Sequence, residues 1–392
     1  MQRVERHIIL NSKAVDQLCF KSKNLYNLAN YYIRQNFVKS KTWLRYQTLD
    51  KLLKQEQAYK DLPAQTSQQV LRVLDKSWIS FFNAVKSYKK NPNNFKSRPK
   101  LPGYKDKIKG RNLVVFTNQQ VKLRDGLIYF PERTNLEPLR TKVPNLNQVR
   151  IVSQATCYVI EVIYTKEAKT IDLNPNTYLS IDLGVNNLAT CVNNIGKKPF
   201  IINGRILKSM NQYFNKKRAQ LMSYIGGKGT SNRLDRLIFK RNNKVQDYLH
   251  KTSRFIINYC VQHKISTIVI GNNKAWKQEI NLGRRNNQCF VFIPFGTLIK
   301  QVEYKAEEYG IKVLVNEESY SSKCSFLDLE TVEKHLKYLG RRIKRGLFRS
   351  AKRILINADA NGAYNVLTKV VPNAFSNGIE GVGLHPVLIN IS

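Results

Sequence analysis

An aspartate stands inside an otherwise apolar stretch, TYLSIDLGVNNLATCV, at residues 177–192. The alternation of a β-strand places Asp182 on the face opposite to Leu179, Ile181 and Leu183. A glycine and two asparagines follow and predict a hairpin turn into a second strand. Taken alone, such an aspartate most often helps to form the turn, so a chemical role requires acidic partners elsewhere in the chain.

A second aspartate, Asp359, lies in INADANGAYN at 356–365, where a helix is predicted to start. An acid there is favoured by the helix dipole, but its carboxylate can also point back across a neighbouring sheet. Nucleases use acids at strand ends and on a flanking helix to hold two divalent ions about 4 Å apart, which activate water and stabilise the leaving oxygen. Oxygen ligands suit Mg²⁺.

The third acid of such a site is missing from its expected place. The strand TIVIG ends at Gly271, and the next strand, IKVLVN, is followed by Glu317 and Glu318. An acid on the neighbouring strand starts about 4.8 Å further from the site, and a glutamate side chain together with a local bend of the backbone can partly bridge this distance. Alternation turns only one of the two toward the site, and we favour Glu318 over Glu317, with Glu279 third. Alternatively, both are surface acids of a loop and the site is incomplete.

The order of elements around these acids predicts the fold. Three short strands precede two long helices, and a strand, a helix, a strand and a last helix follow; the ranges are 178–183, 188–193, 199–203, 205–225, 233–264, 267–271, 294–309, 311–316 and 357–371. A strand meander followed by alternating helix and strand is typical of a mixed α/β sheet of the ribonuclease H type.

The amino-terminal part has a different pattern. The first hundred residues read mostly as helix, and a basic, proline-rich loop with interleaved aromatic residues follows at 86–111. Such a loop is typical of a contact to a nucleic-acid backbone, although a solvated linker has the same composition. Four strands at 111–165 predict a small antiparallel barrel or sheet, and 166–176 predicts a boundary.

Charge and cysteine usage restrict the class of protein. The 392 residues contain 66 Lys and Arg against 27 Asp and Glu, a formal charge of +39. With 42% hydrophobic residues, this excess is expected on a folded surface, and its natural counterion is nucleic acid. No apolar run reaches the ~18 residues of a membrane span and no signal peptide is visible, so we expect no membrane partner and a cytoplasmic location. Six cysteines without a CxxC pair argue against a zinc ribbon and a disulfide framework.

The chain resembles the TnpB proteins of insertion-sequence transposons, which are relatives of the type V CRISPR effectors. SIDLGVNNLAT is similar to the first motif of their RuvC-like nuclease domain, INADANGAYNV to the third, and NFKSRPKLPGYK to a basic arm. EESYSSKCSFLD and RRIKRGLFRS are similar to motifs of one subgroup. The resemblance covers nearly the whole chain, and its two nuclease motifs occur in the expected order.

This resemblance implies a domain organisation. It implies a guide-binding β-barrel at 1–12 and 100–170, a helical lobe at 13–99, a RuvC-like nuclease domain of ribonuclease H-like fold at 177–371, and a C-terminal tail at 372–392. Within the nuclease domain, a basic insertion at 319–356 replaces the family's zinc ribbon, whose four cysteines are reduced to Cys324.

The resemblance also implies a function: an RNA-guided DNA endonuclease of a prokaryotic cytoplasm, encoded by a transposon. A guide RNA from the transposon end would pair with double-stranded target DNA beside a short motif. Asp182 and Asp359 carry over as catalytic metal ligands, and Glu318, or alternatively Glu317, replaces the family glutamate that belongs at Gly271. These three acids would bind two Mg²⁺, for which Mn²⁺ can substitute, and no zinc is expected.

Ten residues of the two basic segments are expected to contact nucleic acid: Lys96, Arg98, Lys100, Tyr104, Lys105, Arg341, Arg342, Lys344, Arg345 and Arg349. Three other functions stay open at this point. The chain could be an RNA-guided DNA-binding protein that has lost cleavage, a transposase that joins DNA strands with a carboxylate triad, or a structural RNA-binding protein.

Overall fold

The computed structural model describes residues 1–169, 171–273, 292–376, 378–379 and 381–391. Glu279, the third choice for the displaced acid, lies outside them. The chain divides into two compact units, Met1–Lys166 and Glu167–Ser392. Every helix in the described ranges is too short or too polar to cross a membrane.

The first unit combines long helices with short antiparallel strands. Its elements are β1 (Gln2–Ile9), α1 (Lys13–Ser40), α2 (Tyr46–Leu53), α3 (Gln57–Lys60), α4 (Ala64–Lys90), β2 (Val114–Thr117), β3 (Lys122–Arg124), β4 (Leu127–Tyr129), β5 (Leu139–Arg140), β6 (Gln148–Ser153) and β7 (Tyr158–Thr165). One sheet has the order β1-β7-β6-β2 and a second has the order β3-β4-β5. These sheets contain the segments for which the barrel is predicted.

Helices and strands of this unit share one apolar core. Leu18 and Ile33 of α1, Trp78 of α4 and Val149 of β6 belong to the same buried cluster. The Trp78 indole is fully buried, and its Nε1 donates a hydrogen bond to Oδ1 of Asn30 at 3.0 Å. Trp78 of α4 therefore forms part of the contact between α4 and α1.

The second unit follows the predicted order of elements to within a few residues. Its elements are β8 (Asn174–Leu183), β9 (Asn187–Asn193), β10 (Phe200–Asn203), α5 (Arg205–Ser223), α6 (Asn232–Gln262), β11 (Ile265–Gly271), α7 (Phe295–Glu307), β12 (Lys312–Asn316), β13 (Arg341–Lys344), β14 (Leu347–Arg349), β15 (Leu355–Asn357), α8 (Ala358–Val370) and β16 (Val387–Ile389).

Six of these strands form one mixed sheet in the order β12-β11-β8-β9-β10-β16. β8, β9 and β10 are an antiparallel meander, and β11 and β12 run parallel to β8. This is the topology of the ribonuclease H fold, so the predicted α/β fold class is confirmed. β16, which lies in the predicted tail segment, pairs in parallel with β10.

The two faces of this sheet carry different helices. Leu179 and Ile181 of β8 pack into the core formed with α5, α6 and α7. On the other face, Val269 of β11 packs against Val366 of α8. Alternation along β8 therefore directs Asp182 to the side of α8, as the sequence pattern predicts.

The basic insertion has an apolar core of its own. β13, β14 and β15 form a three-stranded antiparallel sheet, and Phe326, Phe348 and Ile356 are buried together with Tyr364 of α8. The rings of Phe326 and Tyr364 stack with centroids 4.5 Å apart and planes 13° apart. Cys324 is a buried free thiol beside this core. Aromatic packing thus organises the segment in which the resemblance places a zinc ribbon in relatives.

Candidate active site

Asp182 occupies the penultimate position of β8, where the strand approaches α8. Gly362 of α8 lies opposite, and a Cβ atom at this position would be 3.3 Å from Oδ2 of Asp182. A larger residue at 362 would crowd the carboxylate. The NGA step of the INADANGAYNV motif therefore allows the strand-end aspartate to lie close to the helix.

Asp359 is fixed by the start of α8. Asn357 is the N-cap residue, and its Oδ1 accepts hydrogen bonds from the backbone N–H groups of Asp359 and Ala360, both at 3.0 Å. Asn187 Nδ2, from the first residue of β9, donates to Asp359 Oδ2 at 2.6 Å. Arg342 Nη2 lies 3.4 Å from Oδ1. The carboxylate is therefore held by one amide and one cation.

Glu318 lies two residues beyond β12 and covers the end of β11. A Cβ atom on Gly271 would be 2.7 Å from Glu318 Oε2 and 3.2 Å from its Cβ. Asn273 holds the glutamate in place: its Oδ1 accepts from the Glu318 backbone N–H at 3.0 Å, and its Nδ2 donates to Oε1 at 3.2 Å. The displaced glutamate thus uses the space that a glycine leaves free at position 271.

Glu317 is directed elsewhere. Its Oε2 accepts a hydrogen bond from Lys369 Nζ at 3.0 Å, and its side chain is 55% exposed. Between the two glutamates that the sequence left open, the structure brings Glu318 to the sheet end and pairs Glu317 with a lysine.

The three acids interact electrostatically. The pKa of Asp182 is raised well above its usual value, first by burial and then by the charges of Glu318 and Asp359, while Arg342 acts in the opposite direction. Burial, with a smaller contribution from Glu317, raises the pKa of Glu318 to about 7. Mutual repulsion in a poorly solvated site is the arrangement that a bound cation relieves.

The donor set fits a magnesium ion. Glu318 Oε2 is buried and has no hydrogen-bond partner among the described residues, and such a carboxylate oxygen beside other carboxylates is a suitable ligand for a hard cation. Within the described ranges, no three His, Cys, Asp or Glu side chains form a ready-made metal-binding group. The outer carboxylates are instead held by Asn273, Asn187 and Arg342.

A cavity of about 770 Å³ opens beside the two aspartates. Its wall contains Asp182, Asp359 and three arginines, Arg205, Arg342 and Arg345. Glu318 is not part of this wall in the described structure. An anionic group can therefore approach the two aspartates through the cavity that the arginines line.

Other residues of the basic insertion lie further from the acids. Arg341 and Lys344 are exposed on β13, and Arg349 is half-buried on β14. Of the five insertion residues expected to contact nucleic acid, the structure brings Arg342 and Arg345 to the cavity.

The predicted basic loop lies in the first unit, and its charged residues are exposed. These are Lys96, Arg98, Lys100 and Lys105. Tyr104 is 47% exposed, and the guanidinium of Arg34 lies 4.6 Å from the centre of its ring.

A polar face of α1, which sequence reasoning missed, fixes the backbone of this loop. Tyr26 Oη donates to the Gly103 carbonyl at 3.2 Å, and Asn30 Nδ2 donates to the Pro102 carbonyl at 3.0 Å. Asn27 exchanges two hydrogen bonds of 2.9 Å with the Lys105 backbone. Polar residues at helical spacing in a buried helix were the available signal.

Two asparagines of α8 were also missed. Asn361 Nδ2 donates to the Cys324 carbonyl at 2.8 Å, and its Oδ1 accepts from the Phe326 N–H at 3.0 Å. Asn365, one turn later, donates to the carbonyls of Ser321 and Cys324 at 2.8 and 2.7 Å. The same helix that carries Asp359 therefore anchors the start of the basic insertion.

Comparisons with known proteins agree with this architecture. A family model described as "Probable transposase" matches residues 158–277, and one described as "Cas12f1-like, TNB domain" matches 295–366. A TnpB-like protein, ORF457 of Acidianus two-tailed virus, is 26% identical across 89% of this chain and 82% of its own length.

Two solved structures are similar over most of the chain. A cryo-EM structure of a Cas12f1-sgRNA-target DNA complex has a TM-score of 0.39 and 13% identity, covering 93% of this chain and 98% of that one. The mini-RNA-guided endonuclease CRISPR-Cas_phi3 has a TM-score of 0.46 and 9% identity, covering 95% and 92%. The two family matches and the TnpB-like relative along most of the sequence agree with the resemblance of this chain to the TnpB proteins.

Proposed function

We propose that this protein is an RNA-guided, Mg²⁺-dependent DNA endonuclease that cuts guide-matched double-stranded DNA beside a short motif. One observation carries the proposal: the buried Oε2 of Glu318, which has no hydrogen-bond partner in the part of the chain that the structure describes, lies over Gly271 and within electrostatic range of Asp182. An incomplete site would have no reason to bury an unsatisfied glutamate there, because such a group destabilises the fold. The similarity to a TnpB-like protein and the ribonuclease H fold support the same conclusion.

Asp182, Glu318 and Asp359 would hold the metal. When bound, Mg²⁺ supplies activation of the attacking water and stabilisation of the leaving oxygen. Asn273 and Asn187 orient the two outer carboxylates through the hydrogen bonds described above. These asparagines fix the carboxylates before substrate arrives, which lowers the reorganisation that the reaction requires.

The cavity arginines would bind the scissile phosphate. Arg342 neutralises Asp359 in the metal-free protein, and it becomes available to a phosphate oxygen once another cation neutralises that carboxylate. Arg205 and Arg345 provide further positive charge on the same wall. The arginines therefore select an anionic phosphodiester and place it beside the aspartates.

Guide and target would be held mainly through their backbones. The exposed lysines and Arg98 of the loop on α1 fit contacts to phosphate, and the basic insertion offers a second such surface next to the nuclease cavity. Sequence specificity would come from base pairing between a transposon-derived guide RNA and the target strand.

The test is cleavage of a guide-matched plasmid by purified ribonucleoprotein with Mg²⁺ or Mn²⁺. Asp182→Asn, Asp359→Asn and Glu318→Gln should each abolish cutting while guide-RNA affinity stays within about twofold of wild type. Glu317→Gln is the matched control, because its side chain pairs with Lys369 and should leave cutting intact. Tight binding of guide and target without cutting would overturn the nuclease proposal and support an RNA-guided DNA-binding protein.

A second assay separates this function from strand transfer. A transposase that joins DNA with a carboxylate triad needs transposon-end DNA and no RNA. RNase-treated protein should therefore neither cut nor join terminal DNA fragments. Joining under those conditions would assign the same acids to a different reaction.

A further inference from the structure

A groove of about 800 Å³ lies between α5 and α6 of the second unit. Its α5 side includes Tyr213, Lys217, Leu221 and Tyr224, which recur every three or four residues and so form one face of the helix. Residues at the same spacing along α6 form the opposite wall. One face of α5 and one face of α6 therefore line the same open groove.

The groove is strongly positive. Six cations line it: Lys217, Arg233, Arg236, Lys240, Arg241 and Lys244. Residues 205–244 contain eleven Lys and Arg and one acid, Asp235, a net +10 of the chain's +39 in about a tenth of its length. None of the residues described as lining the groove is acidic. Like charges facing each other across a gap repel, and an anionic ligand relieves this repulsion.

The floor of the groove is apolar and aromatic. It contains Met210, Tyr213, Phe214, Leu221, Tyr224 and Leu237. Tyr213 is 62% exposed and Tyr224 is 70% exposed. Gln220 bridges Lys217 and Tyr224: it accepts a hydrogen bond from Lys217 Nζ at 3.3 Å and donates one to Tyr224 Oη at 3.1 Å. Large aromatic rings left in solvent among cations are typical of surfaces on which bases stack.

Core packing does not explain these tyrosines. The buried residues of α5 end at Phe214, and after Leu234 the next buried residue of α6 is Val245. The groove therefore lies on the parts of the two helices that contribute least to the sheet's core. An aromatic and cationic face retained there fits a ligand with both flat apolar groups and negative charge.

We propose that this groove binds single-stranded DNA, namely the strand that enters the carboxylate site, with bases stacked on Tyr213 and Tyr224 and phosphates on the flanking cations. α5 joins the two places. Its first residue, Arg205, is on the wall of the carboxylate cavity, and Lys217 of the groove lies twelve residues further along the helix, about 18 Å away. A strand leaving the cavity along α5 reaches the groove within a few nucleotides. This inference rests on the proposed nuclease function.

Ultraviolet crosslinking tests the location of binding. The full-length protein, in EDTA to prevent cutting, is mixed with a bromodeoxyuridine-substituted DNA oligonucleotide of about 12 nucleotides. Crosslinked peptides should include Tyr213 or Tyr224. Peptides that exclude the α5–α6 segment would overturn the inference, because they would place the strand elsewhere on this basic protein.

Fluorescence anisotropy tests the contribution of the rings. Tyr213→Ala with Tyr224→Ala should weaken DNA binding by about tenfold or more with little change in salt dependence, because stacking is not ionic. Lys217→Gln with Arg236→Gln should instead lower the slope of log affinity against log salt by about 1 to 2. Tyr129→Ala and Lys312→Gln are matched controls, because both lie outside the groove, and each should leave binding unchanged. Equal losses in the controls would contradict the proposal.

Competing ligands separate the possible occupants. Single-stranded DNA should compete better than RNA of the same sequence and better than poly-glutamate. Stronger competition by RNA would assign the groove to the guide, and equal competition by poly-glutamate would assign it to an acidic protein; both results overturn the inference. If plasmid cleavage fails while DNA crosslinks to the tyrosines, the groove stands and the nuclease proposal falls. If cleavage succeeds with crosslinks elsewhere, only the groove falls.

Discussion

At the scale of residues, Gly271 and Glu318 act as a pair. The strand end that the resemblance assigns to a glutamate carries no side chain, and a glutamate from beyond the next strand fills the space. Two hydrogen bonds from Asn273 fix this side chain against β11. A change at either position should therefore affect the other.

Adding one methyl group at position 271 should disturb the site. In Gly271→Ala, the new Cβ would be 2.7 Å from Glu318 Oε2, so the carboxylate must move. We expect at least about a tenfold loss of plasmid cleavage, of the order caused by displacing a reacting group by 1 Å. Gly296→Ala in α7 is the control, because no atom of the described residues lies within 4 Å of its Cβ position. Wild-type cleavage by Gly271→Ala would argue against Glu318.

The raised pKa of Glu318 predicts how stability depends on pH. Its pKa is about 7 in the folded protein against 4.5 ordinarily, so between these values the folded state binds more protons than the unfolded state. The free energy of unfolding of the metal-free protein should therefore fall as pH rises from 5 to 8. Urea titrations in EDTA would measure it.

The matched variants identify the group responsible. Glu318→Gln should weaken this pH dependence and stabilise the metal-free protein at pH 8, because it removes a buried charge. Glu317→Gln should keep most of the dependence, because Glu317 makes only the smaller contribution to the shift. Identical slopes for wild type and Glu318→Gln would show that the carboxyl is not buried as described.

At the scale of elements, successive turns of α8 have different roles. It starts with the Asn357 cap, presents Asp359, leaves room for Asp182 at Gly362, and anchors the basic insertion through Asn365. Val366, one turn after Gly362 on the same face, packs on the sheet. The asparagine-rich motif thus presents a carboxylate of the candidate site and also anchors neighbouring structure.

Removing one of these amides should loosen the insertion. Asn365→Ala removes the amide donor to the Ser321 carbonyl and one of the two amide donors to the Cys324 carbonyl, which should cost about 1–3 kcal/mol of stability in urea denaturation. Hydrogen exchange at 321–326 should become faster. Thr368→Ala on the same helix is the control, because its hydroxyl bonds only to the Asn365 carbonyl within the helix, and it should change stability by less than about 0.5 kcal/mol. Equal effects would show that Asn365 is not an anchor.

At the scale of the whole molecule, the charge of +39 is large but unevenly distributed. The loop held on α1 and the α5–α6 groove each concentrate cations beside exposed aromatic residues, and the basic insertion concentrates them beside Asp359 of the candidate site. Binding of nucleic acid should therefore depend steeply on salt, with specific segments responsible for most of the slope.

The loop on α1 offers a direct test of this uneven distribution. Changing Lys96, Arg98, Lys100 and Lys105 to glutamine should lower the slope of log guide-RNA affinity against log salt by about 0.7 for each phosphate that is no longer neutralised. Changing four exposed lysines of the same unit, Lys13, Lys39, Lys51 and Lys54, alters the net charge equally and should have little effect. Equal reductions for both sets would show that net charge alone determines binding.

The sequence by itself determined the order of elements, the ribonuclease H fold class and the side of the sheet on which Asp182 lies. These features depend on how often apolar residues recur along the chain, every two residues in a strand and every 3.6 residues in a helix. They also depend on residues that favour the start of a helix, such as Asn357. The strands β13, β14 and β15 escaped prediction, because three- or four-residue strands rich in arginine carry little periodic signal.

Only the tertiary structure decided how distant segments meet. Parallel pairing of β11 and β12 aligns Gly271 with Asn316, and this register places Glu318 over the glycine and sends Glu317 to Lys369. The sequence left Glu318 and Glu317 as alternatives for the third acid, because the directions of their side chains depend on a turn and on partners more than forty residues away. The hydrogen bonds of Asn273, the contacts of the polar face of α1 and the groove between α5 and α6 likewise depend on segments that are distant in the sequence.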